Sequence, residues 1–313
     1  MNISASYITS RPNAFVREVI LESIGLEIYC TILSAFVDSV PDLDAIQIIY
    51  LLTYLLLEIQ IMAMDESYLK SLSAFRERGN YREMFVNALS KICTDVKLGG
   101  VRSCLAIGPG DGWYEIEFIK HCEANISKFI GIEPDHASAE HLRTALRSSL
   151  PGVESQVFET TMENWESPGK PVDLIIMFQV LHYIPTGERQ EFLKKIHDSR
   201  LVSGGWLAFV MSIPTKSPMH SADIVFERLG LQQTRWEKTE ADFLKAGFTK
   251  QYEHEMHVKK DLTDPDENLL LFYQLHFKNR VITLDDLREA MKWPISEGKV
   301  DELHVMVIFK STN

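Results

Sequence analysis

An apolar run that breaks into alternate glycines constrains this chain more than any other feature: Leu105-Ala106-Ile107-Gly108-Pro109-Gly110-Asp111-Gly112. A buried parallel strand that ends this way enters a turn built without side chains, so backbone N–H groups can come close to a bound ligand. A second apolar run, Phe129-Ile130-Gly131-Ile132, closes on Glu133-Pro134. An acid at the end of the second strand is placed to accept hydrogen bonds from ribose hydroxyls. Together the two features describe a site for a nucleoside cofactor.

Two cofactors compete for such a site, a nicotinamide dinucleotide and S-adenosylmethionine. The dinucleotide fingerprint G-x-G-x-x-G needs its last glycine so that helix and strand pack closely and the pyrophosphate meets the helix N-terminus. Counting from Gly108, that position is Trp113, which is too bulky, and the spacing found is G-x-G-x-G with Asp111 inside the loop. An acid there repels a pyrophosphate but suits the cationic sulfonium and ammonium of S-adenosylmethionine. The expected cofactor is therefore S-adenosyl-L-methionine, with Gly108, Gly110, Gly112 and Glu133 holding it.

The chain has 313 residues, 45% hydrophobic and 24% charged, which suits one large or two small globular domains. A formal net charge of −12 argues against nucleic acid, which demands a basic face. Cys30, Cys93, Cys104 and Cys122 lack paired metal-ligand spacing, so no metal is expected and a reducing, cytoplasmic setting is. Cys104, inside the first strand, reads as a free buried thiol. A monomer acting on a small molecule is the expected assembly.

The N-terminal region is of another kind. Residues 45–64 (AIQIIYLLTYLLLEIQIMAM) are long and apolar enough for a membrane span, but Gln47, Glu58 and Gln60 interrupt them. No cluster of Lys or Arg flanks the run to orient it, and it lacks the pattern of a cleaved signal peptide. Residues 14–37 read as a further helix, with Pro41 between the two. Residues 1–64 are thus read first as a helical hairpin packed on the body, then as a membrane anchor, and last as an extension upstream of a true start near Met62 or Met64.

From residue 65 the pattern is that of an α/β, doubly wound, mostly parallel sheet of Rossmann type. Strands are predicted at 101–107, 129–133, 155–159, 172–178, 205–212 and 300–310, and helices at 67–91, 113–121, 136–149 and 187–199. Gly204-Gly205 is expected to end the last of these helices, and Thr239 with Asp242 to form a capping box that starts a short helix ending at Gly247. Residues 65–212 read as a helical lead and cofactor-binding core, and 213–313 as a substrate-binding region that completes the sheet. In such folds ligands sit beyond the C-terminal strand ends, so the run 173–183 delivers Phe178, Gln179, His182 and Tyr183 to the rim that carries the glycine loop.

These residues carry a family likeness. Residues 65–313 resemble histamine N-methyltransferase, of the class I S-adenosylmethionine-dependent methyltransferases, through the glycine loop, Glu133-Pro134, the strand end Phe178-Gln179-Val180-Leu181-His182-Tyr183 and Glu297-Gly298-Lys299-Val300. The resemblance implies cofactor contacts at Gly108, Glu133, Ser138, Met162 and Phe178, and a substrate pocket at Gln179, Tyr183, Phe226 and Tyr273. Tyr68, from the same aromatic-rich lead, is counted with the pocket. Two positions depart from the family: Tyr81 stands where an acid contacts histamine, and His304 where an asparagine stands on the last strand. A phenol in place of a carboxylate removes the partner of an alkylammonium group, which argues against histamine itself.

The implied reaction is transfer of a methyl group to the lone pair of a small-molecule amine or imidazole nitrogen. Catalysis then rests on proximity, orientation and desolvation. A proton acceptor for the nucleophile is expected at His304 or His182, with Gln179 orienting the substrate and Glu302, on the same strand face as His304, orienting the ring. A non-catalytic or membrane-tethered cofactor-binding module is the alternative, and a nicotinamide oxidoreductase the more distant one.

Overall fold

The computed structural model describes residues 69–166, 169–213, 223–230, 236–274, 281–292 and 299–312. The apolar N-terminal segments, Tyr68, Glu297 and Gly298 lie outside the described residues. The chain divides into two compact units, and the α/β body belongs to the larger, Asp65–Gln274 with Ile282–Asn313.

Two helices lead in, α1 (69–77) and α2 (Tyr81–Asp95), and the α/β body continues from them. Its elements are β1 (Ser103–Ile107), α3 (Trp113–His121), β2 (Lys128–Ile132), α4 (His136–Ser149), β3 (Glu154–Phe158), β4 (Val172–Phe178), α5 (Arg189–Arg200) and β5 (Leu201–Ile213). Then come α6 (Asp223–Arg228), α7 (Trp236–Lys245), β6 (Phe248–Asp261), α8 (Glu267–Gln274), α9 (Leu284–Met291) and β7 (Lys299–Ser311). The strands form one seven-stranded sheet in the order β3-β2-β1-β4-β5-β7-β6. The pairs from β3 to β5 are parallel, whereas β7 runs antiparallel to both β5 and β6. This is the doubly wound α/β sheet expected, with an antiparallel strand near one edge.

The sheet separates two apolar layers. Cys104, Ala106, Leu174, Ile176, Ala208 and Val210 face α2, α3 and α4, while Leu105, Ile107, Ile175, Met177, Leu207 and Phe209 face α5 and α7. Burial on both faces explains why these central strands read as continuous apolar runs rather than alternating ones. On α2, Tyr81, Phe85, Ala88, Leu89 and Ile92 recur at helical spacing and are all buried. Each large apolar side chain so buried contributes about 1.5–3 kcal/mol.

Helices 113–121 and 136–149 fall where the sequence places them, because strong local signals bound both. Gly112 sits left-handed at the start of α3, and the Asp135 side chain caps α4 by accepting the Ser138 N–H at 2.8 Å. Three expectations need correction. Gly204 and Gly205 do not end α5; they lie within β5, where the register against β4 jumps from Val172–Leu201 to Leu174–Trp206. Thr239 does not cap a helix but is buried inside α7; the capping box is at Thr283 and Asp286, ahead of α9. The strand β6 was not expected at all. Its first half alternates weakly and its outer face is charged, so the edge position, not the composition, makes it a strand.

Candidate active site

The loop from β1 to α3 is built from backbone. Gly108, Gly110 and Gly112 have φ of +60°, +58° and +77°, a region that side chains other than glycine enter at a cost. A Cβ on Gly112 would lie 2.2 Å from Leu142 Cδ1, and one on Gly108 would lie 2.9 Å from Val180 Cγ2. A Cβ on Gly110 would meet nothing within 4 Å, so this glycine faces open space. Packing demands two of the glycines, and the third leaves a ligand room to approach.

Glu133 follows β2 and folds back onto that loop. Its Oε2 accepts the Gly110 N–H at 2.8 Å and its Oε1 the Asp135 N–H at 3.0 Å. Each oxygen keeps a second lone pair for a ribose hydroxyl. Burial pushes the Glu133 carboxyl up, against the pull of those two N–H groups and with the push of Asp135 and Asp111. Glu115, on the first turn of α3, is fully buried with no hydrogen-bond partner for its Oε2. Burial holds it well above the usual carboxylate range, and Asp111 and Glu133 push the same way. Asp111 itself accepts the Trp113 N–H at 3.2 Å and lies 4.0 Å from Arg76. Three carboxyls thus gather at one loop, an environment that favours a cationic ligand.

The Ser138 hydroxyl, in the first turn of α4, is buried without a hydrogen-bond partner among the described residues. An orphaned hydroxyl five residues beyond Glu133, an open Gly110 and an acidic surround all fit a nucleoside with a sulfonium centre. Met162 is buried in the same apolar layer as Ile107, Ile132 and Trp165. The Phe178 ring packs instead into the core, 5.5 Å from Phe85 and 5.7 Å from Phe118, so at that position only the strand-end backbone faces the rim.

A second group of polar residues crosses four neighbouring strand ends. Gln179, directly after β4, has φ of +58°, a left-handed conformation that costs a non-glycine residue about 1–3 kcal/mol. Its Oε1 accepts the Ser212 N–H of β5 at 3.1 Å. Its Nε2 lies 3.2 Å from the Tyr81 hydroxyl and 2.6 Å from His304 Nδ1. Ser212 pairs with His304 across β5 and β7, and Glu302 lies on the same face two residues away. Glu302 Oε2 lies 3.2 Å from His304 Nε2 and 3.0 Å from Lys260 Nζ of β6, while its Oε1 accepts the Ser212 hydroxyl at 3.3 Å. Neither Oε2 contact has hydrogen-bond geometry, so the Lys260 contact acts as an ion pair and the His304 contact as the attraction of a carboxylate for the ring's Nε2 side. Burial pushes the Glu302 carboxyl up, but Lys260 and His304 outweigh it and hold it far below the usual range. Burial, with Tyr114 beside it, pushes the Tyr81 phenol up, so Tyr81 stays a neutral O–H group.

Tyr81, Gln179 and His304, which the sequence placed in one pocket, are in direct contact. Phe226 and Tyr273 pack together with ring centroids 4.7 Å apart. Phe75 links the two sets, since its ring lies 6.2 Å from Tyr273 and 3.2 Å from Lys260 Nζ. His182 and Tyr183 stand apart from this buried group. Their ring centroids lie 4.1 Å apart with the planes tilted by 44°, in an exposed turn with Tyr183 50% exposed. Lys260, Ser212 and Phe75 were missed by the sequence reading. The signal for Lys260 is a lysine in the apolar phase of Met256-Val258-Lys260, matching Glu302 in the apolar phase of Val300-Glu302-His304-Met306.

Residues 104–205 match the profile of a methyltransferase domain. Its cofactor is S-adenosylmethionine, and the domain holds both the glycine loop and Gln179. Among solved structures, a Bacillus halodurans protein described as a methyltransferase is 12% identical, with a TM-score of 0.54 over 73% of this chain and 99% of its own. It shares the fold. N-methyltransferase NodS from Bradyrhizobium japonicum, solved with S-adenosyl-L-homocysteine, is 12% identical with a TM-score of 0.47, covering 79% of this chain and 99% of that one. No curated protein matches the chain. Among the described residues no helix is long and apolar enough to cross a membrane.

Proposed function

We propose that the methyltransferase domain serves a small-molecule N-methyltransferase whose acceptor is a neutral aromatic or heterocyclic nitrogen compound rather than histamine. Gly108, Gly110, Gly112, Glu133 and Ser138 hold the cofactor, which supplies a methyl group on a positively charged sulfur. Tyr81, Gln179 and His304 orient the acceptor, and Phe226 and Tyr273 wall the pocket with rings on which a planar molecule can stack.

The observation that carries this reading is the state of Glu302. It is the carboxylate of the polar cluster, and Lys260 neutralises it at 3.0 Å. The position where the resembling family has an acid is the neutral Tyr81. An ammonium entering here gains no counter-charge, and burying it unpaired costs several kcal/mol. A neutral nitrogen ring meets no such penalty and enters with its lone pair unprotonated.

The test is kcat/KM for imidazoles, indoles and aromatic amines beside histamine, in wild type and in Tyr81→Glu. Histamine should be a poor acceptor in wild type, and the new glutamate should improve it by about tenfold or more. Best turnover of histamine by wild type, with no gain in Tyr81→Glu, would sink the reading.

A further inference from the structure

The hydrogen-bond inventory of the polar cluster leaves one arrangement of its protons. The Ser212 backbone N–H can only donate, so the atom of Gln179 that meets it at 3.1 Å must be the amide oxygen. The Gln179 NH2 then faces the Tyr81 hydroxyl at 3.2 Å and His304 Nδ1 at 2.6 Å. A donor that close to a ring nitrogen requires a lone pair there, so the ring proton belongs on Nε2, 3.2 Å from Glu302 Oε2. Glu302 is held in turn by Ser212 at 3.3 Å and by Lys260 at 3.0 Å. Lys260 is 3% exposed, lies over the Phe75 ring, and sits where the chain at Gly79 bridges to β6, so it has little freedom to turn away. Arg76 is the other cation acting on it.

We infer that Lys260 and Glu302 are positioning residues for His304: the buried pair keeps the ring proton on Nε2 and so presents Nδ1 as the proton acceptor of the site. This rests on the proposed N-methylation only for its catalytic use. In that use the acceptor nitrogen takes the place of the Gln179 NH2 opposite Nδ1. For an aromatic amine, its lone pair forms the new C–N bond, the electrons of the broken S–C bond stay on sulfur, and the N–H proton that the methylated nitrogen sheds passes to Nδ1. The imidazolium so formed has Glu302 beside it, which is why the pair sits behind the ring rather than in front of it.

The deciding measurement is long-range 1H–15N NMR of the full chain labelled at histidine, with His304 assigned by the signals lost in His304→Asn. Wild type at neutral pH should show His304 Nδ1 as an unprotonated and Nε2 as a protonated ring nitrogen. Single variants such as Glu302→Gln leave a buried ammonium and risk unfolding, so the second sample is K260M/E302L, which replaces the pair by apolar side chains of similar volume. It should fold and bind S-adenosylmethionine as wild type does; when Gln179→Ala removes the amide opposite Nδ1, His304 should keep the single tautomer beside the intact pair and become a mixture of tautomers in K260M/E302L/Q179A. With the best acceptor found, kcat of the double variant should fall roughly tenfold to a hundredfold with KM little changed. A wild-type ring protonated on Nδ1, or a folded K260M/E302L/Q179A variant that keeps the single tautomer, overturns the inference. The expected tautomers with no turnover of any nitrogen acceptor would overturn the proposed function and leave the positioning pair standing.

Discussion

The two ends of the candidate site bury glutamates in opposite ways. At the cofactor end, Glu115 and Glu133 are enclosed beside Asp111, and burial pushes both carboxyls up. At the acceptor end, Glu302 is enclosed between Lys260 and His304 and its carboxyl is held far down. The desolvation penalty acts in both places; what differs is whether the protein supplies the cation. At the acceptor end the compensation is internal and the cluster is complete without a ligand. The cofactor end has Arg76 near Asp111 at 4.0 Å and, among the described residues, no close ion pair for Glu115 or Glu133; a sulfonium cofactor would bring a positive charge there. One region is closed and one is poised.

The largest consequence falls on stability. Glu302→Ala strands the Lys260 ammonium in the interior and should cost about 3–5 kcal/mol. Glu115→Gln replaces a carboxyl whose proton burial favours with a neutral amide of similar shape, and should cost less than about 1 kcal/mol. Urea denaturation of the two variants side by side checks this, and equal losses would erase the contrast.

Next in size is the loop. Gly112→Ala places a Cβ 2.2 Å from Leu142 Cδ1 at a φ of +77°, and should cost more than about 2 kcal/mol. Gly110→Ala meets no neighbour, so its stability loss should be the smaller, near the backbone cost of about 1 kcal/mol, while its cofactor affinity drops more. Thermal melts with and without S-adenosylmethionine separate the two effects.

Glu133→Ala removes charge-assisted hydrogen bonds worth about 1.5–3 kcal/mol to the cofactor. Its dissociation constant for S-adenosylmethionine should rise about tenfold or more by calorimetry. An unchanged constant in a folded variant would take Glu133 out of the cofactor site.

The smallest effect is one of pH, and its sign differs between the ends. Glu302 has a depressed folded pKa, so its contribution to stability is present above the ordinary value of 4.5 and lost as pH falls through the folded value. Glu133 is raised, so its folded form favours the proton; that contribution is present below 4.5 and lost as pH rises through the folded value. Cofactor binding should follow the second titration. The dissociation constant for S-adenosylmethionine should fall as pH rises above 4.5 and Glu133 ionises, while that for S-adenosylhomocysteine, which lacks the sulfonium charge, changes less. Equal pH dependence for both would show that the carboxyls do not sense the sulfonium.

The contrast also explains how much could be read from the sequence. The cofactor end is local: β1, three glycines, α3 and a strand-ending acid lie within 31 residues, Ser103 to Glu133, and each needs a residue type that its backbone geometry dictates. Hence the loop, Glu133 and the limits of α3 and α4 were legible. The acceptor end is assembled from Tyr81, Gln179, Ser212, Lys260 and Glu302 with His304, and Gln179 meets His304 across 125 positions. Strand phase alone marked His304 and Glu302 as neighbours. The local mark on Lys260 is its phase with Met256 and Val258, which carries meaning only once β6 is known to be a strand.

By itself the sequence determined a doubly wound α/β sheet, a glycine loop with its acid, and a methyl-donor cofactor, because alternating apolar runs, left-handed turns and strand ends are short-range demands of the backbone. Only the tertiary structure decided that β7 inserts antiparallel between β5 and β6. That insertion sets Ser212 opposite His304 and brings Lys260 beside Glu302. Charge compensation in a buried site depends on distances between strands, and the register that sets them is fixed by packing rather than by any one segment.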